Sequence, residues 1–94
     1  MLMSMAHTRA ADIGKIFGKV LQQHRSQRDI SQEELAFQAG VDRTFISRLE
    51  RGIRQPTITT LISIGQALGV SAATLVQEAE KEYLRQNKQK TIAP

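Results

Sequence analysis

The chain has 94 residues, of which 40% are hydrophobic and 4% aromatic, and it carries a formal charge of +4. This length favours one small domain, and the absence of cysteine excludes a disulfide scaffold and a thiolate-ligated zinc site. A basic balance is compatible with nucleic acid as a partner, although a charge of this size does not by itself identify one.

Residues 1–9 are predicted to be a flexible lead-in, in which Met1, Met3 and Met5 leave the start codon undecided. This segment lacks both the basic region and the apolar core of a signal peptide. Residues 57–77 carry no charge, but threonines and serines interrupt them, and Gly69 followed two residues later by Ser71 indicates a helix break. We therefore predict no membrane span and a cytoplasmic protein.

A first helix is predicted over residues 10–28, because apolar side chains recur there at helical spacing. His24 falls on the same side and is expected to be a core or rim histidine. The only other histidine, His7, is far away in the sequence, so no metal site is predicted. We expect no cofactor either, since the chain has no glycine-rich phosphate loop and no metal-ligand spacing.

Residues 31–51 predict two short helices, at residues 31–39 and 43–51, joined by a tight corner. Ser31 and Glu34 have the spacing of a capping box, in which the hydroxyl accepts a backbone N–H and the carboxylate reaches back to the cap. Gly40 can take the left-handed conformation that ends a helix. Asp42 is expected to cap the second helix through its side-chain oxygen.

The second of these helices has one continuous polar arc at about 100° per residue. The arc consists of Arg43, Thr44, Ser47, Arg48 and Arg51, while Phe45, Ile46 and Leu49 lie on the opposite side. Guanidinium groups can pair with guanine O6 and N7 or with phosphate, and small hydroxyls allow close approach in a groove. A solvated amphipathic helix has the same pattern, but the corner before the helix and the loop after it favour a DNA-reading helix.

The rest of the chain predicts a loop, two more helices and a tail. Pro56 prevents the third helix from continuing, and Thr57 can cap a fourth helix over residues 58–68. Gly69 ends that helix and Ser71 caps a fifth. Residues 85–94 are polar and are expected to form a frayed tail.

The residues that define the two helices and their corner also resemble a known family. Residues 17–76 resemble the lambda-repressor-like (Cro-type, XRE family) helix-turn-helix, and its signature positions are Gln32, Ala36, Gly40, Val41, Ile46 and Leu49. The run VDRTFISRLERG is similar to small regulators of this family, including controllers of restriction–modification systems. The resemblance implies a compact, all-α, five-helix domain over residues 10–84, with its helix-turn-helix at residues 31–51. It also implies sequence-specific binding of double-stranded DNA and regulation of transcription.

The resemblance and the polar arc together predict the roles of individual residues. The base-reading set is Arg43, Thr44, Ser47 and Arg48. The set that contacts the DNA backbone is Gln32, Phe45, Arg51, Arg54, Gln55 and Thr57, and Gln32 is also expected to brace the third helix. Phe45 stands where many relatives have tyrosine, so it can touch sugar or a thymine methyl but cannot hydrogen-bond to phosphate.

Three further positions follow from the resemblance. Arg25 is expected to form an ion pair with Glu50 that clamps the first helix to the third; the alternative is that Arg25 contacts phosphate. Asp29 replaces the glycine that relatives often have at the end of the first helix, so the turn there is expected to differ.

A homodimer is expected, with Ala79, Tyr83, Leu84 and part of the fourth helix as its interface, because an isologous contact would place two reading helices about one DNA turn apart, ~34 Å. The alternative is that the fifth helix is solvated beyond Ala79. Other functions remain open: a restriction–modification controller, the antitoxin of a toxin pair, or a protein-binding adaptor that reuses the fold. No catalytic set and no small-molecule site are predicted.

Overall fold

The computed structural model describes residues 9–92, except for the side chains of Ala11 and of residues 89–92. Of the lead-in predicted at residues 1–9, all but Arg9 lies outside this range. The described residues form five helices and no strand, namely α1 (Ala10–Gln27), α2 (Gln32–Ala39), α3 (Arg43–Glu50), α4 (Ile58–Leu68) and α5 (Ala72–Ile92). The prediction of an all-α, five-helix fold is confirmed.

The short helices begin and end largely where their capping residues predict. The Ser31 hydroxyl accepts a hydrogen bond from the Glu34 N–H at 3.0 Å, and Gly40 ends α2 with a φ of 74°. The Glu34 carboxylate accepts from the Gln38 amide at 2.6 Å and does not complete the predicted capping box. Asp42 occupies the N-cap of α3 but makes no side-chain capping bond, so that prediction was wrong. Its side chain is exposed, which leaves water free to satisfy the carboxylate.

One hydrophobic core joins all five helices. Seven side chains within it are almost completely buried: Leu21, Leu35, Ile46, Leu49, Ile64, Leu68 and Leu75. Each contributes roughly 1.5–3 kcal/mol of gross burial free energy. Two of them, Ile46 and Leu49, come from the eight-residue α3, which is too short to be stable alone. The core therefore determines where α3 lies.

A glycine permits a close approach between α1 and α3. A Cβ atom at Gly18 would lie 2.5 Å from the carbonyl oxygen of Glu50 and 2.6 Å from that of Leu49. The backbone of α1 consequently lies directly against the last turn of α3. Only glycine leaves room for this approach.

The turn after α1 keeps the conformation that a glycine would take. Asp29 has a φ of 58°, in the left-handed region, and is the one non-glycine residue of the described chain with a positive φ. Whether the turn into Ile30 differs from that of relatives with glycine stays a prediction. Aspartate tolerates this region better than most residues, at some cost in strain.

The last helix is longer than predicted. α5 continues to Ile92, through residues that we expected to form a frayed tail. The Glu82 carboxylate accepts hydrogen bonds from Arg85 and Gln86, one turn further on, and these bonds lower its pKa to about 2. Such pairs three and four residues apart stabilise an exposed helix.

No single helix in the described range is long and apolar enough to cross a membrane. α4 and α5 pass that test only as a pair, and they are bent by 103° to each other.

Candidate nucleic-acid interface

The side of α3 that faces away from the core carries the predicted polar arc. Arg43, Thr44, Arg48 and Arg51 are exposed and Ser47 is half-buried; these five residues are called the α3 strip below. The only acid in α3 is Glu50, whose side chain is 4% exposed and turned inward. The strip therefore presents three guanidinium groups and two hydroxyls without a carboxylate among them.

A buried carboxylate joins α3 to the two helices before it. Glu50 accepts from Arg25 Nε at 2.6 Å and Nη2 at 3.1 Å, and from the Gln32 amide at 3.0 Å. Arg25 also donates from Nη1 to the Ile30 carbonyl at 2.8 Å. The hydrogen bonds to Glu50 raise the pKa of Arg25 above its usual value, against the effect of burial. We call Arg25, Gln32 and Glu50 the clamp.

The contacts of the Arg25 guanidinium bear on its two interpretations. All three of its guanidinium nitrogens donate within the protein, and its side chain is only 15% exposed. This geometry favours the structural ion pair over a phosphate contact. The Gln32 amide nitrogen uses one hydrogen on Glu50 and retains a second. Its donation to phosphate stays a prediction.

The loop after α3 folds back onto the end of that helix. The N–H groups of Ile53 and Arg54 both donate to the Arg48 carbonyl, at 2.9 and 3.3 Å. The Arg54 guanidinium lies over the Phe45 ring, with Cζ 6.0 Å from the ring centroid. Phe45 itself is half-buried and packs against the core. Arg54 is thus placed beside the α3 strip, an arrangement that the sequence did not reveal.

Two of the predicted backbone-contacting residues make contacts within the protein. The Gln55 amide donates to the Ala10 carbonyl at 3.1 Å, which ties the loop to the start of α1. The Thr57 hydroxyl accepts from the Thr60 N–H at 3.2 Å and donates to the Thr60 hydroxyl at 3.1 Å, as the cap of α4. Both side chains are exposed. Whether they also reach phosphate stays a prediction.

The predicted dimer interface is only partly at the surface. Ala79 is 6% exposed and belongs to the core of the monomer, so it can offer only a small area to a second copy, and its place in an interface stays a prediction. α5, which carries Ala79, packs against α1. Tyr83 is half-buried and its hydroxyl accepts from the Arg9 N–H at 3.3 Å, whereas Leu84 is 57% exposed.

Other apolar side chains are exposed near Leu84. Val76 and Leu84 line an open groove of about 450 Å³ between α4, α5 and the start of α1, together with Leu61 and Pro56. Ile58 and Ile62 are 72% and 47% exposed on α4, where Ile58 lies about one turn before Leu61 and Ile62 directly follows it. We call Ile58, Ile62, Val76 and Leu84 the apolar face.

Sequence reasoning missed two further contacts that hold the fold around this site. His24 Nε2 lies 2.8 Å from the Glu78 carboxylate, which links α1 to α5. Arg28 donates to the Leu68 carbonyl at 3.0 Å and so caps the end of α4. Both join residues far apart in sequence. In the described part of the chain, no group of three His, Cys, Asp or Glu side chains is arranged to hold a metal ion.

Comparison with known proteins points to one family. A family model described as helix-turn-helix matches residues 21–75, more than half of the chain. Among curated proteins, the control protein C.MunI from a Mycoplasma species is 38% identical over 72 residues, which cover 76% of this chain and 97% of that protein.

Solved structures agree with this match. The restriction-modification controller protein C.AhdI from Aeromonas hydrophila is 35% identical, with a TM-score of 0.65, covering 69% of this chain and 97% of that one. A variant of the controller protein C.Esp1396I, bound to its highest affinity operator site, is also 35% identical. Its TM-score is 0.69, and the match covers 77% of this chain and 95% of the other.

Proposed function

We propose that this chain, which belongs to the helix-turn-helix family and is a DNA-binding transcriptional regulator, binds a palindromic operator as a homodimer. One observation carries the proposal: the α3 strip is exposed and free of acids on a helix whose opposite side is fixed by the core and the clamp. A surface that reads base edges must be held rigidly, since a bidentate contact needs a defined geometry.

Each part of the interface has a proposed role. Arg43, Thr44, Ser47 and Arg48 face base edges in the major groove. Arg51 and Arg54 contact phosphate, with Gln32, Gln55 and Thr57 adding uncharged donors along the DNA backbone. The positive charge of the arginines supplies affinity that depends on salt, while the base contacts supply preference for one sequence.

The homodimer rests on the apolar face. Four large aliphatic side chains, from 46% to 72% exposed, lie on two neighbouring helices, and burying them against a second copy would remove them from water. A two-fold axis through this face would present two α3 strips to successive turns of one side of the duplex. The interface proposed here therefore keeps Leu84 and part of α4, represented by Ile58 and Ile62, leaves out Ala79 and adds Val76.

Selection of bound sequences from a random DNA pool tests the proposed function. We expect the recovered sequences to contain an inverted repeat whose half-sites are centred about one helical turn apart, roughly 10 base pairs. Recovery of no common sequence would contradict sequence-specific binding. Recovery of a single asymmetric half-site would contradict binding as a symmetric dimer.

Sedimentation tests the dimer with a matched pair of variants. Leu84→Glu places a charge in the apolar face and should shift the protein to a monomer at micromolar concentration. Phe37→Glu makes the same change at a residue that is 81% exposed on α2, outside that face, and should leave the dimer intact. A wild-type protein that is monomeric both with and without DNA would overturn the dimer proposal.

The similarity to C.MunI and C.AhdI favours a finer role as a restriction–modification controller. The genes beside this one test that role, since a controller is expected next to an endonuclease and a methyltransferase. A neighbouring toxin gene would point to the antitoxin alternative instead. We propose a binding function without catalysis, in the cytoplasm and on the nucleoid when DNA is bound.

A further inference from the structure

Phe45 lies at the border between the α3 strip and the core. At about 100° per residue, its position on the helix falls between exposed Arg48 and buried Leu49. One part of the side chain packs against the core and the rest remains open to solvent. The ring therefore forms a fixed apolar surface along one edge of the α3 strip.

Both the backbone and the guanidinium group of Arg54 are placed near this ring. Its N–H is bonded to the Arg48 carbonyl at 3.3 Å, which brings the backbone of the loop to the end of α3. Its guanidinium carbon lies 6.0 Å from the centre of the Phe45 ring, at the outer limit of a cation–π contact. A guanidinium that contacts a ring through its face still has N–H groups at its edges, which can bond to an oxyanion.

We propose that Phe45 is a positioning residue for DNA binding: its ring holds the Arg54 guanidinium beside the α3 strip, ready for one phosphate. This inference rests on the proposed function and deepens it. Without the ring, Arg54 is an exposed loop side chain that must lose its rotamer freedom on binding. With the ring, part of that ordering is complete before DNA arrives.

A positioning role for Phe45 has a consequence for the salt dependence of binding that a packing role does not have. Removing one phosphate contact flattens the plot of log affinity against log salt concentration by about 0.9. Phe45 carries no charge, so its replacement by another uncharged residue removes no charge from the protein. If the ring acts through Arg54, however, that replacement should flatten the plot as though a charge had been lost.

The test measures affinity for the selected duplex over a range of salt concentrations, using the full chain. We expect Arg54→Gln to flatten the slope by about 0.9 and Phe45→Leu to give most of the same change. We expect Phe45→Leu to weaken binding about 2–5-fold at low salt, the size of an exposed cation–π contact. Phe45→Tyr retains the ring and should retain the wild-type slope.

The double variant separates positioning from packing. In the Arg54→Gln background, Phe45→Leu should cause no further change in slope. Thermal unfolding of each variant identifies any loss of folded protein, which lowers affinity equally at all salt concentrations. A wild-type slope for Phe45→Leu, with a reduced slope for Arg54→Gln, would overturn this inference and leave the proposed function intact. If Arg54→Gln and Arg48→Ala both bound like the wild type, the proposed interface itself would be wrong.

Discussion

The two sides of α3 differ in how much of the protein holds them. On the inner side, Ile46 and Leu49 are fully buried, Glu50 accepts three hydrogen bonds, and the backbone meets Gly18 at contact distance. On the outer side, the three arginines of the α3 strip are exposed. Among them, Arg51 alone has a side-chain hydrogen bond, to the Ser47 carbonyl at 3.3 Å.

This difference separates the two tasks of a short reading helix. The inner side determines where α3 lies, and therefore where every group on the outer side meets the groove. The outer side determines which groups are offered. Substitutions on the inner side should therefore change stability first and DNA affinity as a result. Those on the outer side should change affinity and leave stability nearly unchanged.

The largest effect is expected at Gly18. Gly18→Ala would place a methyl group 2.5 Å from one backbone oxygen and 2.6 Å from another, so α1 and α3 must move apart. We expect a loss of about 3 kcal/mol or more in the free energy of unfolding. Urea unfolding measures this loss. Gly14→Ala is the matched control in the same helix, because its Cβ would lie 3.2 Å from the nearest atom, and it should cost far less.

Breaking the clamp should have the next largest effect. Glu50→Gln keeps the shape of the side chain but leaves the charge of Arg25 without a partner in a site where Arg25 is 15% exposed. We expect stability to fall by roughly 2–3 kcal/mol, somewhat less than for fully buried pairs. Glu33→Gln, an exposed acid in α2, is the control and should change stability by no more than about 0.5 kcal/mol. Equal stabilities for the two variants would show that the clamp only orients α3.

The outer side was more predictable from the sequence than the inner side. Helix ends follow from local rules, so Ser31, Gly40, Thr57 and Gly69 were assigned correctly as capping positions. The exposed arc of α3 follows from helical periodicity alone. Its partners across the fold do not, because a crossing such as that at Gly18 depends on the angle between two helices. A glycine in the middle of a helical pattern was the available signal.

The assignments on α5 were limited by a related cause. Its polar C-terminal residues suggested fraying, although Glu82, Arg85 and Gln86 already had the spacing of stabilising pairs. Ala79 was assigned to an interface because the sequence alone does not show that its side chain packs into the core of the monomer. The position of Arg54 over the Phe45 ring was missed for the same reason, since it depends on how a loop folds back.

On the outer side, Arg48→Ala should weaken DNA binding and leave stability nearly unchanged, in contrast to Gly18→Ala and Glu50→Gln. We expect the free energy of unfolding to change by no more than about 0.5 kcal/mol, because the side chain is exposed. Binding to the selected duplex should weaken by about 1–3 kcal/mol, with relaxed preference at one position of each half-site. Lys19→Ala removes the same charge from the exposed surface of α1 and should weaken binding much less. Equal losses for both variants would mean that the protein attracts DNA only through its total charge.

The smallest effect is expected at the turn that supports the clamp. Asp29 holds a φ of 58°, and the next residue, Ile30, supplies the carbonyl that accepts from Arg25. Asp29→Gly removes the left-handed strain but gives the unfolded chain more freedom, so the net gain in stability should be only about 0.5 kcal/mol. Asp29→Ala keeps the strain and should unfold at a lower urea concentration than the wild type. Because neither variant touches the α3 strip, affinity for the selected duplex should change little in the folded protein. A large change in affinity without a change in stability would show that this turn, and not the clamp alone, determines the angle at which α3 meets DNA.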